Sequence, residues 1–187
     1  MKNSLLALSL LFGLSACGDT HDPLEKQASQ STQTSASESI INLTYPAYLA
    51  SANKRLQAAK TNLQIPESAI PDADPSGSKK MFHDFSDGLS VSVTTNNEDK
   101  LSEVRIVWDT DTATGKAEQL RQAAAALLAA TAPEDRTLER DTVDQIKTAI
   151  ESHNKGSDPT RTFARGGIAY KVTVTNFPSV VLTAKAE

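Results

Sequence analysis

The sequence predicts an α+β fold of two layers, in which an antiparallel sheet of about five to six strands has helices packed on one face. The first observation is a period of two in several segments, such as Leu89, Val91 and Val93 alternating with serines, which is typical of strands with one buried face. The second is that short turn signals separate these segments, so neighbouring strands are expected to run antiparallel. The third is that segments with helical spacing interrupt the strands, and helices must cover one side of such a sheet.

The first predicted element is a helix over "YPAYLASANKRLQAAKTNL". Pro46 lies near its start, and leucines recur every seven residues from Leu49 to Leu63, which forms one apolar stripe. The heptad does not persist long enough for a coiled coil, so we expect the helix to pack on the sheet of its own domain. Three strands in meander order follow, "MFHDF", "LSVSVTT" and "LSEVRIVWD", with a hairpin signal at Asp87 and Gly88.

The second half of the chain predicts two helices and then three strands. The alanine-rich segment "KAEQLRQAAAALLAAT" has high helix propensity, and a second helix is expected from Leu138 to His153. The strands are "TRTFAR", "IAYKVTVT" and "SVVLTAKAE", the first two joined at Gly166 and Gly167. "FSDGLSVSVTTN" and "FARGGIAYKVTVTN" are similar, which leaves two alternatives: two related halves, or chance similarity between strands of limited composition.

The N-terminus has the three parts of a secretory signal: the basic Lys2, the apolar run "LLALSLLFGL", and the small residues Ser15 and Ala16. Ten apolar residues are too few for a transmembrane helix, which needs about 20. The single cysteine of the chain, Cys17, follows directly. It has no partner for an internal disulfide, so it is a spare thiol, an intermolecular bridge or a site of modification.

The residues "LSAC" that end at Cys17 resemble the lipobox of bacterial lipoproteins. The resemblance implies diacylglycerol on the Cys17 sulfur, cleavage after Ala16, and an acyl chain such as palmitate on the new amine. In enterobacterial lipoproteins an aspartate directly after the cysteine tends to retain the protein in the inner membrane. Here Gly18 has that position, so the resemblance favours the outer membrane over the inner membrane. An ordinary signal peptide with an incidental cysteine is the alternative.

The rest of the chain divides at about residue 40. Residues 17–39 contain the lipid-bearing cysteine and a Ser/Thr/Gln-rich segment that is too polar to fold on its own, so they are expected to form a flexible tether. Residues 40–187 suit a single α+β domain. Without residues 1–16 the chain has 18 basic and 23 acidic side chains, a net charge of −5, and it has no basic stripe with aromatic residues. We therefore expect no nucleic-acid partner.

Two groups of residues are candidates for chemistry. His83, Asp84 and Asp87 are the candidate catalytic cluster, although neighbours in a strand face opposite ways, so His83 and Asp84 are not expected to cooperate. In the other group, "DADPSG", the residues Asp72, Asp74 and Ser76 before a glycine resemble the first half of an EF-hand calcium loop. The twelfth position is His83 instead of glutamate, and Pro75 interrupts the ligands, so no cofactor is predicted and calcium is kept only as an alternative.

Two classes of function follow from these observations. The first is an envelope lipoprotein, anchored in the membrane by its lipid, that acts by contact with a protein or an envelope polymer, for example as an immunity protein or inhibitor. The second is a periplasm-facing hydrolase or metal-dependent enzyme. It requires His83, Asp84 and Asp87, or the Asp72 loop, to converge with distant groups such as Asp109 and Asp111.

Overall fold

The computed structural model describes residues 39–75, 77–85, 88–110, 115–177 and 179–187. Within these ranges the chain forms three helices and seven strands. In chain order they are α1 (Tyr45–Ala58), β1 (Asp72–Ala73), β2 (Lys79–Asp84), β3 (Leu89–Thr95), β4 (Leu101–Asp109), α2 (Ala117–Ala129), α3 (Leu138–Asn154), β5 (Thr160–Arg165), β6 (Ile168–Val174) and β7 (Ser179–Ala186).

The strands form one open antiparallel sheet in the order β1-β2-β3-β4-β7-β6-β5, so the predicted α+β two-layer fold is confirmed. The sheet has seven strands instead of the expected five to six. The additional strand is β1, where Asp72 pairs with Lys80 and Ala73 pairs with Lys79. Both β1 residues are exposed, so the segment has no apolar alternation from which a strand could be predicted.

The core lies between the helices and one face of the sheet. Helix α2 contacts α1 and α3 and lies on β4 and β7, whereas α3 lies on β5 and β6. All side chains of residues 123–130 are buried, because alanine is small enough for α2 to be enclosed on every side. None of the described helices is long and apolar enough to span a bilayer.

Helix α1 is shorter than the sequence predicts. It ends at Ala58, because Lys60 and Asn62 adopt left-handed backbone angles, with φ of 53° and 57°, and a helix cannot continue through such residues. Leu63 therefore lies outside the helix. The buried stripe of α1 is Tyr45, Tyr48, Ala52 and Leu56, which packs against α2 and belongs to the same core as the sheet.

The predicted pair of helices and the last three strands are confirmed. The two similar sequence segments contain β3 and β6, and each of these strands is the middle strand of three in its half of the sheet. The halves are β2-β3-β4 and β5-β6-β7, and each follows a helix, α1 or α3. They meet where β4 pairs with β7, so the centre of the sheet is the junction between two similarly ordered halves.

Candidate functional site

The predicted catalytic cluster is not assembled among the described residues. The His83 side chain lies on the helix-covered side of β2 and meets the Phe85 ring edge-on, with ring centroids 4.5 Å apart. Asp84 is exposed on the opposite face of the same strand. The expectation that these neighbours point in opposite directions is thus confirmed. Asp87 lies outside the described residues.

The Asp72 loop forms a strand and a tight turn. Asp72 lies in β1 across from Lys80, whose ammonium group is 3.6 Å from the Asp74 carboxylate, and the backbone N–H of Gly77 donates to the Asp74 carbonyl. In the part of the chain that the structure describes, no three His, Cys, Asp or Glu side chains are close enough to share a metal ion. Ser76 lies outside that part, so calcium binding stays a prediction without support from the loop geometry.

The remaining predicted groups are also apart. Asp109 ends β4, where it pairs with Ser179 of β7 and faces away from the helices. It is separated from β2, and so from His83 and Asp84, by the whole of β3. Asp111 and Cys17 lie outside the described residues.

The three helices of the described residues leave one face of the sheet uncovered, and this face is the candidate functional site. The register places its side chains in three rows across β2, β3, β4, β7, β6 and β5, which we call the central, upper and lower rows. In the order just given, the central row is Phe82, Ser92, Arg105, Thr183, Lys171 and Thr162. The upper row is Asp84, Ser90, Val107, Val181, Thr173 and Thr160. The lower row is Lys80, Thr94, Glu103, Lys185, Ala169 and Ala164.

No residue of these rows is buried, and their chemistry is distinctive. Seven of the eighteen side chains are serine or threonine, and Phe82 is 68% exposed. Arg105, Lys171 and Lys185 are exposed, and none forms an ion pair with another described residue. The uncovered face therefore presents hydroxyl groups together with three cations that form no ion pair with the described residues.

The contrast with the helix-covered side is clear at Arg165. Its guanidinium donates to both Asp135 and Asp141 and so connects β5 to the start of α3. The hydrogen bond from the Thr137 backbone N–H, together with others from Thr137, Arg165 and Leu138, lowers the pKa of Asp135 to about 2. The same carboxylates raise the pKa of Arg165. The charged groups of this cluster pair with one another and connect the helix layer to the sheet.

A cleft of about 520 Å³ opens on the uncovered face over β5, β6 and β7. Its floor contains the directly paired Ala164 and Ala169, whose small side chains leave the space open. The surrounding polar side chains are Thr162, Lys171, Thr183, Lys185 and Glu187.

The β5–β6 turn fixes the position of this cleft. Gly166 and Gly167 have φ of 58° and 77°, and two consecutive positive φ angles form the two-residue turn that suits a right-twisted hairpin. The turn pairs Arg165 with Ile168 and thereby places Ala164 opposite Ala169. A side chain at either glycine is strained in this conformation, so the cleft floor depends on the glycine pair.

Two other clefts are lined by groups with structural roles. One lies beside the end of α1, where the Asn53 amide both donates to the Ile65 carbonyl and accepts from the Ile65 N–H. The other lies beside Arg165 and Asp135, which are paired with each other. By contrast, neither lysine of the sheet-face cleft is in an ion pair with a described residue.

Sequence reasoning did not single out Arg105, Lys171 or Lys185. Each occupies a polar position in an alternating segment, and this signal predicts only that it faces away from the core. Comparison of the chain with known proteins finds no matching family model, no matching curated protein and no matching solved structure.

Proposed function

We propose that this protein is a lipid-anchored envelope lipoprotein that acts by contact and binds its partner on the uncovered face of the sheet. The observation that carries the proposal is the set of three exposed cations on that face, which lie among hydroxyl groups and form no ion pair with any described residue. A solvated face is common in antiparallel sheets. Three features of this face favour binding in addition: Arg105 has no ion-pair partner among the described residues, Phe82 is exposed, and a cleft lies between two lysines.

The size of the face suits a contact function. Six strands about 4.8 Å apart give a width of about 24 Å between β2 and β5. The eighteen side chains of the three rows approach the number that one partner contributes to a standard interface, about 20 to 30 residues.

The anchor in this proposal rests on the sequence. The "LSAC" motif supports lipid attachment at Cys17, and the polar segment before residue 40 supports a tether between the lipid and the domain. Two or more acyl chains hold a protein stably at a membrane, whereas one does not. The Cys17→Ser chain is therefore expected to lose a lipid-sized mass and its association with the membrane fraction, while the domain folds normally.

The binding face is tested with a photo-crosslinking amino acid placed in cells at Ser92, on the uncovered face. The matched control is Thr148, which is exposed on α3 on the opposite side of the domain. We expect a crosslinked envelope component from position 92 and none from position 148. Equal crosslinking from both positions, or none from position 92 with the lipid anchor intact, contradicts binding on this face.

A further inference from the structure

We infer that the partner on the uncovered face is an acidic glycan, and that the cleft over β5, β6 and β7 holds one carboxylate-bearing sugar unit of it. This inference rests on the proposed function and names the chemistry of its partner. It is carried by the cleft residues and by Arg105 in the central row.

The lysines of the cleft are placed to hold one anionic group between them. Lys171 lies directly across from Thr183, and Lys185 is two residues further along β7. This diagonal relation puts the two residues about 7 to 8 Å apart, within reach of long side chains that converge on one ligand. An ammonium group has three donors and binds a carboxylate by charge-assisted hydrogen bonds.

The other groups suit the remainder of a sugar. The Thr162 and Thr183 hydroxyls can each donate a hydrogen bond to a sugar hydroxyl and accept one from it. The Glu187 carboxylate can accept hydrogen bonds from sugar hydroxyls. Ala164 and Ala169 give a flat apolar floor against which the C–H face of a sugar ring can pack. A ligand with both hydroxyls and a carboxylate thus finds a partner for each kind of group.

Arg105 extends the site beyond a single unit. It lies in the same row as Lys171 with β7 between them, so the two residues are about 10 Å apart. A chain that enters the cleft and crosses β7 reaches Arg105, whose planar guanidinium can bind a second carboxylate with two hydrogen bonds. A polymer that makes both contacts binds with higher affinity than a single sugar unit, because the second contact forms within a chain that is already bound.

The composition of the face favours a glycan over other anionic macromolecules. Protein interfaces are depleted in Lys, Glu, Asp and Ser, and these residue types make up seven of the eighteen residues in the three rows. An anionic polymer without hydroxyl groups has no donor for Glu103, which lies directly across from Lys185, or for Glu187 at the cleft, and these carboxylates repel it. An acidic glycan tolerates these carboxylates, because its hydroxyls bind to them.

The test measures binding of the full mature chain to polygalacturonate, with dextran, polyglutamate and vesicles of phosphatidylglycerol and phosphatidylethanolamine as comparison probes. The variant is Lys171→Ala with Lys185→Ala. The matched control is Lys54→Ala with Lys147→Ala, which removes two exposed lysines from helices and changes the net charge equally. Trp108 fluorescence and circular dichroism check that each variant is folded.

We expect the wild type to prefer polygalacturonate, and the cleft variant to bind it about tenfold more weakly or worse, since two charge-assisted contacts are lost. The control pair is expected to keep its affinity within about twofold, because exposed charges distant from the ligand are screened by salt. Arg105→Ala is expected to weaken binding of the polymer more than binding of the galacturonate monomer.

The inference is overturned if polyglutamate or the vesicles bind as well as polygalacturonate, if dextran does, or if both double variants lose affinity equally. A failure here is distinct from a failure of the proposed function. If position 92 still forms its crosslink in cells while polygalacturonate does not bind, the binding face stands and only the acidic glycan is wrong.

Discussion

Replacement of Asp135 by alanine tests how the helix layer is fixed to the sheet. One carboxylate oxygen accepts from the Thr137 N–H at 2.8 Å, the Thr137 hydroxyl at 2.9 Å and the Leu138 N–H at 3.1 Å. The other accepts from Arg165 at 3.2 Å. Asp135 lies two residues before the N-cap position, Thr137. Its carboxylate caps the Thr137 and Leu138 N–H groups at the start of α3 and connects them to the end of β5.

These contacts set the expected loss of stability. Removal of a side-chain cap costs about 0.5 to 2 kcal/mol. A partly exposed ion pair contributes up to about 1 kcal/mol, and Arg165 keeps its second partner, Asp141, in the variant. We expect Asp135→Ala to lower the free energy of unfolding by about 2 kcal/mol, which lowers Tm by about 4 to 8 °C for a domain of this size.

The loss is expected to depend on pH with a definite sign. The folded state lowers the pKa of Asp135 from its ordinary 3.8 to about 2, so the carboxylate stabilises the fold at pH values above the ordinary pKa. That contribution falls as the pH drops through this interval and is lost below the folded-state value. The stability difference between wild type and variant must therefore shrink between about pH 5 and about pH 2.

Urea unfolding followed by the fluorescence of Trp108, the one tryptophan, measures both quantities. Asp144→Ala is the matched control, because Asp144 is an exposed acid on the same helix. If Asp135→Ala is no less stable than this control at neutral pH, or if its deficit persists unchanged in acid, Asp135 does not cap α3 as described.

Three further outcomes are expected. Ala125→Leu overpacks the buried part of helix α2 and is expected to lower the free energy of unfolding by about 1 to 3 kcal/mol. Ala117→Leu, at the exposed start of the same helix, is expected to leave this free energy unchanged, and urea unfolding of both variants checks the difference. Tyr48→Phe removes the buried hydrogen bond to the Leu127 carbonyl and is expected to lower the free energy of unfolding by about 1 kcal/mol. Burial also raises the pKa of Tyr48, so an alkaline absorbance titration of this variant must show one late-ionising tyrosine fewer than the wild type. Phe82→Ser is expected to change stability by less than about 0.5 kcal/mol, because the ring is 68% exposed, and thermal melting checks it.

Sequence patterns predicted the fold where burial is periodic. The alternation in β3 and β6 appears directly in which side chains are buried, and the apolar spacing of α3 does as well. Burial has no such period in the two segments that were assigned wrongly, β1 and residues 59–63. Strand β1 has only two residues, Asp72 and Ala73, and both are exposed. The end of α1 is set by the left-handed angles at Lys60 and Asn62, and the first of these, a lysine, does not mark a helix end as glycine or asparagine does.

The candidate site depends on register, which alternation does not supply. Alternation places Arg105, Thr183 and Lys171 on one face, but only pairing between β4, β7 and β6 makes them neighbours. Arg105 and Thr183 are far apart in sequence, and no turn joins β4 to β7. A shift of one residue at that central pairing turns a whole strand over.

That central pairing is also what connects the cations to the core. On β4, Ile106 lies opposite Leu182 of β7 in the covered layer, and the next pair along, Arg105 and Thr183, faces outward. The register that brings Arg105 beside Thr183 is the same register that buries Ile106 and Leu182. The apolar core therefore also determines which side chains are neighbours in the outward row. Substitutions in the outward row can therefore change what the face binds while the buried pairs hold the sheet, which is why affinity and stability are expected to separate in the variants proposed above.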